Sequence, residues 1–182
     1  MKIRLIIVAL SFLLLSPGTY AADPADPSAD SARSFVQAFY DWYVKLTDEQ
    51  RDAARADPVL SHKPAYLSSE LAKALKADAD ASSKSPDEVV GLDFDPYLNS
   101  QDDCGPYTAG AVKQQGKVYE VEVTGSCADD KPGVPDVVPQ LVKQGGSWIF
   151  VDFVYPAREG TPQLDLFSVL KRLRQERAKT PK

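Results

Sequence analysis

The spacing of apolar residues changes along this chain, and that change limits the folds it can adopt. From Phe35 to Leu46, aromatic and aliphatic residues recur every three or four positions, which is the period of an amphipathic helix. From Tyr119 to Thr124, apolar and polar residues alternate, which is the period of a strand with one buried face. Helices followed by antiparallel strands predict an α+β domain.

Two further helices are expected from the same patterns. One runs from residue 64 to about residue 80, with Ser68 or Ser69 as an alternative N-cap for its later part. The other closes the domain, because Thr161 followed by Pro162 is typical of a helix N-terminus. Both helices carry leucines on one side, so we expect each to pack against the rest of the domain.

Two hairpins supply the predicted sheet. Residues 107–113 are expected to pair with the strand that contains Tyr119, and residues 137–143 with residues 148–155. The second hairpin has Gly145-Gly146 at its turn, a pair that two-residue hairpin loops favour. The predicted sheet is therefore antiparallel.

The N-terminus has the layout of a secretory signal peptide. Lys2 and Arg4 precede an apolar run, which a helix break and a small-residue cleavage site follow. We predict a cleaved signal peptide over residues 1–21, a disordered acidic spacer over 22–30 and a single α+β domain over 31–178. The apolar run is short for a bilayer span, so no stable membrane anchor is expected. The predicted location is the periplasm.

The charge and composition exclude several classes of partner. The formal net charge is −5 at pH 7, and it falls to −7 once the predicted signal peptide is removed with its two basic residues. Such an acidic domain lacks the basic surface that nucleic acids require, so no nucleic-acid partner is expected. The chain has one histidine, His62, and no glycine-rich phosphate loop, so no metal and no cofactor are expected. A homodimer is left open.

Cys104 and Cys127 are the only two cysteines of the chain. In an oxidising compartment they are expected to form a disulfide, which the chain-entropy model credits with about 3 kcal/mol for a loop of this length. Two free thiols are the alternative. A redox role is disfavoured, because the spacing is not that of a C-x-x-C motif.

The segment Gly91–Asp103 is the richest in carboxylate and amide side chains, and it joins the predicted helices to the predicted sheet. A calcium loop is disfavoured, because Tyr97, Leu98 and Cys104 stand where an EF-hand needs a ligand, a glycine and a glutamate. Two alternatives are a pair of carboxylates for acid–base catalysis and a loop whose polar side chains cap its own turns. The self-capping loop is favoured.

Asp152 interrupts the apolar run from Trp148 to Tyr155. On a regular strand it shares a face with Trp148, Phe150 and Val154, so a carboxylate is expected among buried side chains. Such a group either bonds to a basic or hydroxyl partner or lines a cavity.

Three segments together resemble a family of small exported bacterial proteins that is described only as a domain of unknown function. They are the Phe39-Tyr40-x-Trp42-Tyr43 helix, the Gly91–Asp102 segment and the Trp148–Tyr155 strand. The pattern is similar to the nuclear transport factor 2-like, or cystatin-like, fold. The resemblance implies helices laid in the concavity of a curved antiparallel sheet, with a cone-shaped pocket between helices and sheet. The predicted domain thus has N-terminal helices packed on a curved antiparallel sheet, with a C-terminal helix. It implies no catalytic residues.

A fold does not by itself determine function, but the fold that the resemblance implies narrows the functions to be expected. We expect a non-catalytic periplasmic binding or accessory protein for a small molecule or an envelope protein. Seven pocket candidates lie on the predicted helix, loop and strand: Tyr40, Tyr43, Asp93, Asp95, Gln101, Asp102 and Asp152. One alternative is an immunity protein or inhibitor, which a charge of −7 would steer to a cationic cell-wall enzyme. A small hydrolase or isomerase that uses paired carboxylates is the third hypothesis.

Overall fold

The structure, a computed structural model, describes residues 27–46, 48–51, 57–84, 90–101, 105–126 and 133–179. The predicted signal peptide over residues 1–21 lies outside the described residues, and so do Asp102, Cys104 and Cys127 with their predicted disulfide. Within the described ranges, no helix is long and apolar enough to span a bilayer.

Helices and strands are segregated along the described part of the chain. The helices are α1 (Pro27–Tyr43), α2 (Asp48–Arg51), α3 (Pro58–His62), α4 (Ser69–Ser82) and α5 (Leu166–Lys179), with a 3₁₀ turn at Pro64–Tyr66. The strands are β1 (Thr108–Gln115), β2 (Val118–Thr124), β3 (Val138–Gln144), β4 (Ser147–Tyr155) and β5 (Leu164–Asp165). The strands form one antiparallel sheet in the order of the sequence, which confirms the predicted α+β class.

One face of the sheet carries the core. Tyr119, Val121 and Val123 of β2 are buried, while the residues between them are half-buried, as the alternation predicts. The aromatic side of α1 packs on this face, where the ring centre of Phe39 lies 4.8 Å from that of Phe150. The helices therefore cover an open antiparallel sheet, and α5 closes the domain.

Helix α1 begins earlier than the sequence suggests. Pro27 is its first residue, so residues 27–30 of the predicted disordered spacer belong to the helix. Proline is tolerated in a first helical turn because its missing N–H has no partner there, and Asp30 in the same turn complements the helix dipole. The expectation of a spacer up to residue 30 is corrected accordingly.

The two later helices begin where a side chain satisfies their first free N–H groups. Ser68 caps α4 by accepting a hydrogen bond from the Leu71 N–H, as one of the two predicted alternatives requires. For α5 the predicted cap at Thr161 is wrong. Asp165 accepts the Ser168 N–H at 2.8 Å instead, while Thr161 exchanges two backbone hydrogen bonds with Arg158. Strand β5 therefore pairs at the edge of the sheet first, and α5 begins directly after it.

A β-bulge in β4 overturns the expected orientation of Asp152. Gln140 of β3 pairs with Asp152 and the next residue pairs with Phe150, so Val151 is the extra residue of β4. The extra residue shifts the alternation by one position, and Phe153 is buried beyond the bulge, as Phe150 is before it. Asp152 therefore points away from the core face that it was expected to share with Trp148 and Phe150.

Candidate functional site

The space between α1 and the sheet, where a pocket was expected, is filled by aromatic side chains. Tyr40 and Tyr43 are both only 1% exposed. The Tyr40 hydroxyl donates to the Tyr97 carbonyl oxygen at 2.7 Å. The ring of Tyr97 lies 5.1 Å from that of Tyr43 and 5.1 Å from that of Phe153. Tyr40 and Tyr43 were expected near a pocket mouth, but they form part of the core because the sheet covers the apolar side of α1.

Asp95 organises the segment that follows. Its Oδ1 accepts the N–H groups of Tyr97 and Leu98 at 2.9 and 3.1 Å, and its Oδ2 accepts the hydroxyl of Tyr43 at 2.9 Å. The backbone closes the same turn, since the Asp95 N–H donates to the Ser100 carbonyl oxygen at 2.9 Å. Asp95 thus ties the loop to α1, which agrees with the interpretation as a self-capping loop.

A second carboxylate, Asp57, extends this network. Its Oδ1 caps α3 through the Val59 and Leu60 N–H groups, and its Oδ2 accepts the Tyr97 hydroxyl at 2.8 Å. Burial raises the pKa of Asp57, and burial raises the pKa of Asp95 to about 6 even though the hydrogen bonds it accepts favour its charged form. Both groups are occupied by donors from the protein itself.

Asp152 has a comparable role at another place in the fold. Its Oδ1 accepts the N–H groups of Phe153 and Phe167 at 2.8 and 3.2 Å, so it binds the first turn of α5 to β4. Burial raises its pKa to about 6, and the nearby carboxylate of Asp165 adds to the shift. Within the described part of the chain, these two backbone donors hold the Asp152 carboxylate, and no basic or hydroxyl side chain bonds to it.

A cavity of about 420 Å³ opens at one end of the domain, between the segment that follows Gly91, the loop that links β4 to β5, and α5. Its walls are largely apolar or aromatic: Leu92, Phe94, Leu98, Tyr107, Tyr155, Pro156, Pro162, Leu164, Val169 and Leu173. Phe94 and Tyr155 meet edge to face, with ring centres 5.4 Å apart. The polar lining residues are Asp93, Asn99, Ser100, Asp136, Arg158, Thr161 and Arg172.

Two of the charged lining residues neutralise each other. Arg158 Nη2 lies 2.5 Å from Asp136 Oδ1, and the other carboxylate oxygen accepts the Gly125 N–H at 2.6 Å. The Asn99 side chain donates to the Asp136 carbonyl oxygen at 2.9 Å. Asp136 therefore fixes three parts of the cavity wall relative to the end of β2.

The other two charged lining residues are unpaired within the described residues. The side chains of Asp93 and Arg172 are exposed, and neither makes an ion pair or a side-chain hydrogen bond to the part of the chain that the structure describes. Asp93 is held through its backbone, because the Gln101 side chain donates to its carbonyl oxygen at 3.1 Å. With respect to the described residues, the cavity thus presents one carboxylate and one guanidinium that have no ionic partner.

The predicted site residues do not form one cluster. Asp93 lines the cavity and Gln101 supports it, whereas Tyr40, Tyr43, Asp95 and Asp152 are not among the lining residues. Arg172 stood in a basic stretch that is typical of a helix C-terminus, and Arg158 stood in a loop with no pattern at all. The sequence gives no sign that these two arginines share a cavity with Asp93.

The described residues contain no group of three or more histidine, cysteine, aspartate or glutamate side chains that could hold a metal ion. The lining of the cavity combines apolar walls with Asp93 and Arg172, which have no ionic partner among the described residues. No protein-family model matches this chain, and no curated protein and no solved structure matches it either.

Proposed function

We propose that this is an exported, non-catalytic binding protein and that the cavity of about 420 Å³ takes a small molecule in the periplasm. One observation carries the proposal: Asp93 and Arg172, both without a partner in the described residues, stand at the same largely apolar cavity. A concave apolar surface with a few polar groups that fix orientation is the usual form of a small-molecule site.

The size of the cavity and the contacts within its wall support this proposal. Its volume falls in the range of about 300–1,000 Å³ that is common for small-molecule sites. The ion pair between Asp136 and Arg158 and the turn around Asp95 hold its wall in place before any ligand arrives. A wall that is already ordered reduces the entropy lost on binding.

The positions of Asp95 and Asp152, the two carboxylates whose pKa best suits acid–base chemistry, favour a non-catalytic role for the protein. Asp95 and Asp152 each have a pKa of about 6. Each accepts two backbone N–H groups through one oxygen, and neither lines the cavity. A general acid or base has to reach the substrate directly or through one water molecule.

We also propose that the domain has the nuclear transport factor 2-like fold. Helices packed on one face of an antiparallel sheet, with bulges in β1 and β4 that bend it, are compatible with the nuclear transport factor 2-like arrangement. The resemblance of the helix around Tyr40, the Gly91–Asp102 segment and the closing strand supports the same assignment. Under that assignment the ligand site lies at the end of the helix–sheet interior, since the middle is filled.

Native mass spectrometry tests the proposed function. The mature protein is exported, purified gently from the periplasm, and compared with Leu173→Trp, which places a larger side chain in the cavity wall. We expect a bound small molecule on the wild type and its loss from the variant. Arg174→Trp is the matched control, because it adds the same side chain one residue along α5, outside the cavity. A molecule that stays bound to Leu173→Trp as well as to the wild type contradicts the proposed site.

A second candidate function is inhibition of a cationic cell-wall enzyme. The aromatic filling between α1 and the sheet and the charge of −7 without the predicted signal peptide favour it. We expect a stoichiometric complex with a cationic lysozyme whose affinity falls as salt increases. Undiminished lytic activity in the presence of excess protein removes this alternative.

A further inference from the structure

From the charges of the cavity we infer its ligand class: a small zwitterion with an apolar side chain, namely an amino acid or a short peptide, whose ammonium group meets Asp93 and whose carboxylate meets Arg172. This inference rests on the proposed function, because it assumes that the cavity is a binding site. It adds the chemistry of the ligand.

The first step of the argument is the charge balance. Among the described residues, four charged side chains line the cavity, and two of them, Asp136 and Arg158, form an ion pair with each other. The acidic side chain of Asp93 and the basic side chain of Arg172 remain, and neither has an ionic partner among the described residues. An anion is attracted by Arg172 but repelled by Asp93. A cation is attracted by Asp93 but repelled by Arg172. A zwitterion pairs with both.

The second step is the arrangement of the two groups. Asp93 stands before the turn that Asp95 organises, whereas Arg172 stands on α5 beside Val169 and Leu173, which line the same cavity. The two side chains do not form an ion pair with each other, so neither is already neutralised by the other. A ligand with separated charges can therefore bridge the two elements.

The third step is the surface between the charges. Leu92 and Phe94 flank Asp93, and Leu173 follows Arg172. These walls favour an apolar side chain on the ligand, since removing apolar area from water stabilises a complex. A volume of about 420 Å³ suits a free amino acid or a short peptide better than a long chain.

Isothermal titration calorimetry on the mature protein tests the inference with four probes that differ only at their ends. They are Leu-Leu, N-acetyl-Leu-Leu, Leu-Leu-amide and N-acetyl-Leu-Leu-amide. We expect Leu-Leu to bind at least about ten-fold more tightly than either singly blocked form, because each block removes one charge-assisted contact. Free leucine and Leu-Leu-Leu, titrated in the same way, set the preferred length.

Two variants assign the ends of the ligand. Arg172→Gln is expected to remove the preference for Leu-Leu over Leu-Leu-amide, and Asp93→Asn the preference for Leu-Leu over N-acetyl-Leu-Leu. Lys171→Gln is the matched control: it removes a neighbouring charge on α5 that faces the groove with α4, so both preferences should persist.

The contrary outcomes separate this inference from the proposed function. Equal binding of Leu-Leu and N-acetyl-Leu-Leu-amide overturns the zwitterion and leaves a cavity that binds apolar molecules. Absence of binding by all the leucine probes, together with a co-purified molecule that Leu173→Trp releases, also overturns the zwitterion and upholds the binding function. If a co-purified molecule stays bound to Leu173→Trp, both the proposed binding function of the cavity and the zwitterion inference are contradicted.

Discussion

Arg177 Nη1 donates a hydrogen bond to Asp78 Oδ1 at 2.6 Å, and this ion pair joins the later turns of α5 and α4. The other oxygen of Asp78 accepts the Leu92 N–H at 2.9 Å. The Asp78 side chain is only 6% exposed. A single carboxylate therefore connects two helices and the segment that forms one wall of the cavity.

Arg177→Ala is expected to lower the free energy of unfolding by about 1–3 kcal/mol, because it leaves the buried Asp78 carboxylate without its ionic partner. Urea denaturation measures the change. Arg174→Ala, an exposed position in the same helix without an ion pair in the described residues, is the control. Equal stability of the two variants shows that the Asp78 contact contributes nothing.

Gly91→Ala is expected to destabilise the fold more than Gly116→Ala. Both glycines have positive φ, at +107° and +63°, so both variants carry backbone strain. Only at Gly91 does an added Cβ meet neighbours: it lies 2.7 Å from Asp78 Oδ2 and closer still to Ser82 Oγ. We expect an extra loss of about 1–3 kcal/mol at Gly91, measured by thermal and urea denaturation. Similar losses at the two positions contradict the close packing of Gly91 on α4.

The contribution of Asp95 to the stability of the protein is expected to fall as pH rises from about 4 to about 7. Burial raises the pKa of Asp95 from 3.8 to about 6, so the folded state binds more protons than the unfolded chain over this range. Stability from this source is present in full below the unfolded pKa and is lost as pH passes the folded value. Asp152, with a pKa of about 6, acts in the same direction.

Asp95→Asn is expected to flatten part of this dependence. The asparagine oxygen can still accept the two N–H groups, and its amide can donate to Tyr43, so the loop keeps its hydrogen bonds. The variant should gain stability relative to the wild type at pH 7.5 and match it near pH 4.5, as urea denaturation at both pH values will show. Asp93→Asn changes an exposed carboxylate on the same segment and serves as the control. An unchanged pH slope in Asp95→Asn contradicts the raised pKa.

Asp165→Ala is expected to lower the free energy of unfolding by about 1 kcal/mol. The Asp165 carboxylate accepts the N–H and the hydroxyl of Ser168, so the substitution removes the side chain that caps the first turn of α5. Thr161→Ala is the informative comparison, since the sequence favours Thr161 as the cap. It should change stability by less than about 0.5 kcal/mol in the same denaturation experiment. A larger effect at Thr161 than at Asp165 contradicts the observed start of the helix.

Regular periodicity made much of the fold predictable. The aromatic helix, the alternation in β2 and the glycine turn between β3 and β4 each express a local preference that packing reinforces. The bulge in β4 could not be predicted, because Val151 stands in a run that is apolar at nearly every position. In such a run, a shift of one residue does not change the apolar pattern, so the sequence does not reveal it. The bulge nevertheless determines the face of the sheet on which Asp152 lies.

The candidate site was less predictable than the fold. Asp93 was singled out because carboxylates are dense around it, but the same density marked Asp95, which serves the turn. Arg158 and Arg172 are brought to Asp93 by the path of the β4–β5 loop and by the position of α5. Such long-range proximity has no periodic pattern in the sequence, so only the structure brings these charges together.

Amide chemical-shift mapping tests the central claim most directly. The ¹⁵N-labelled mature protein is titrated with the low-molecular-mass fraction of an envelope extract. Binding in the cavity predicts shifts that are concentrated at residues 92–100, 156–164 and 169–173. Saturating shifts confined to the outer face of the sheet, around Glu120 and Gln140, with none at the cavity, would contradict the account.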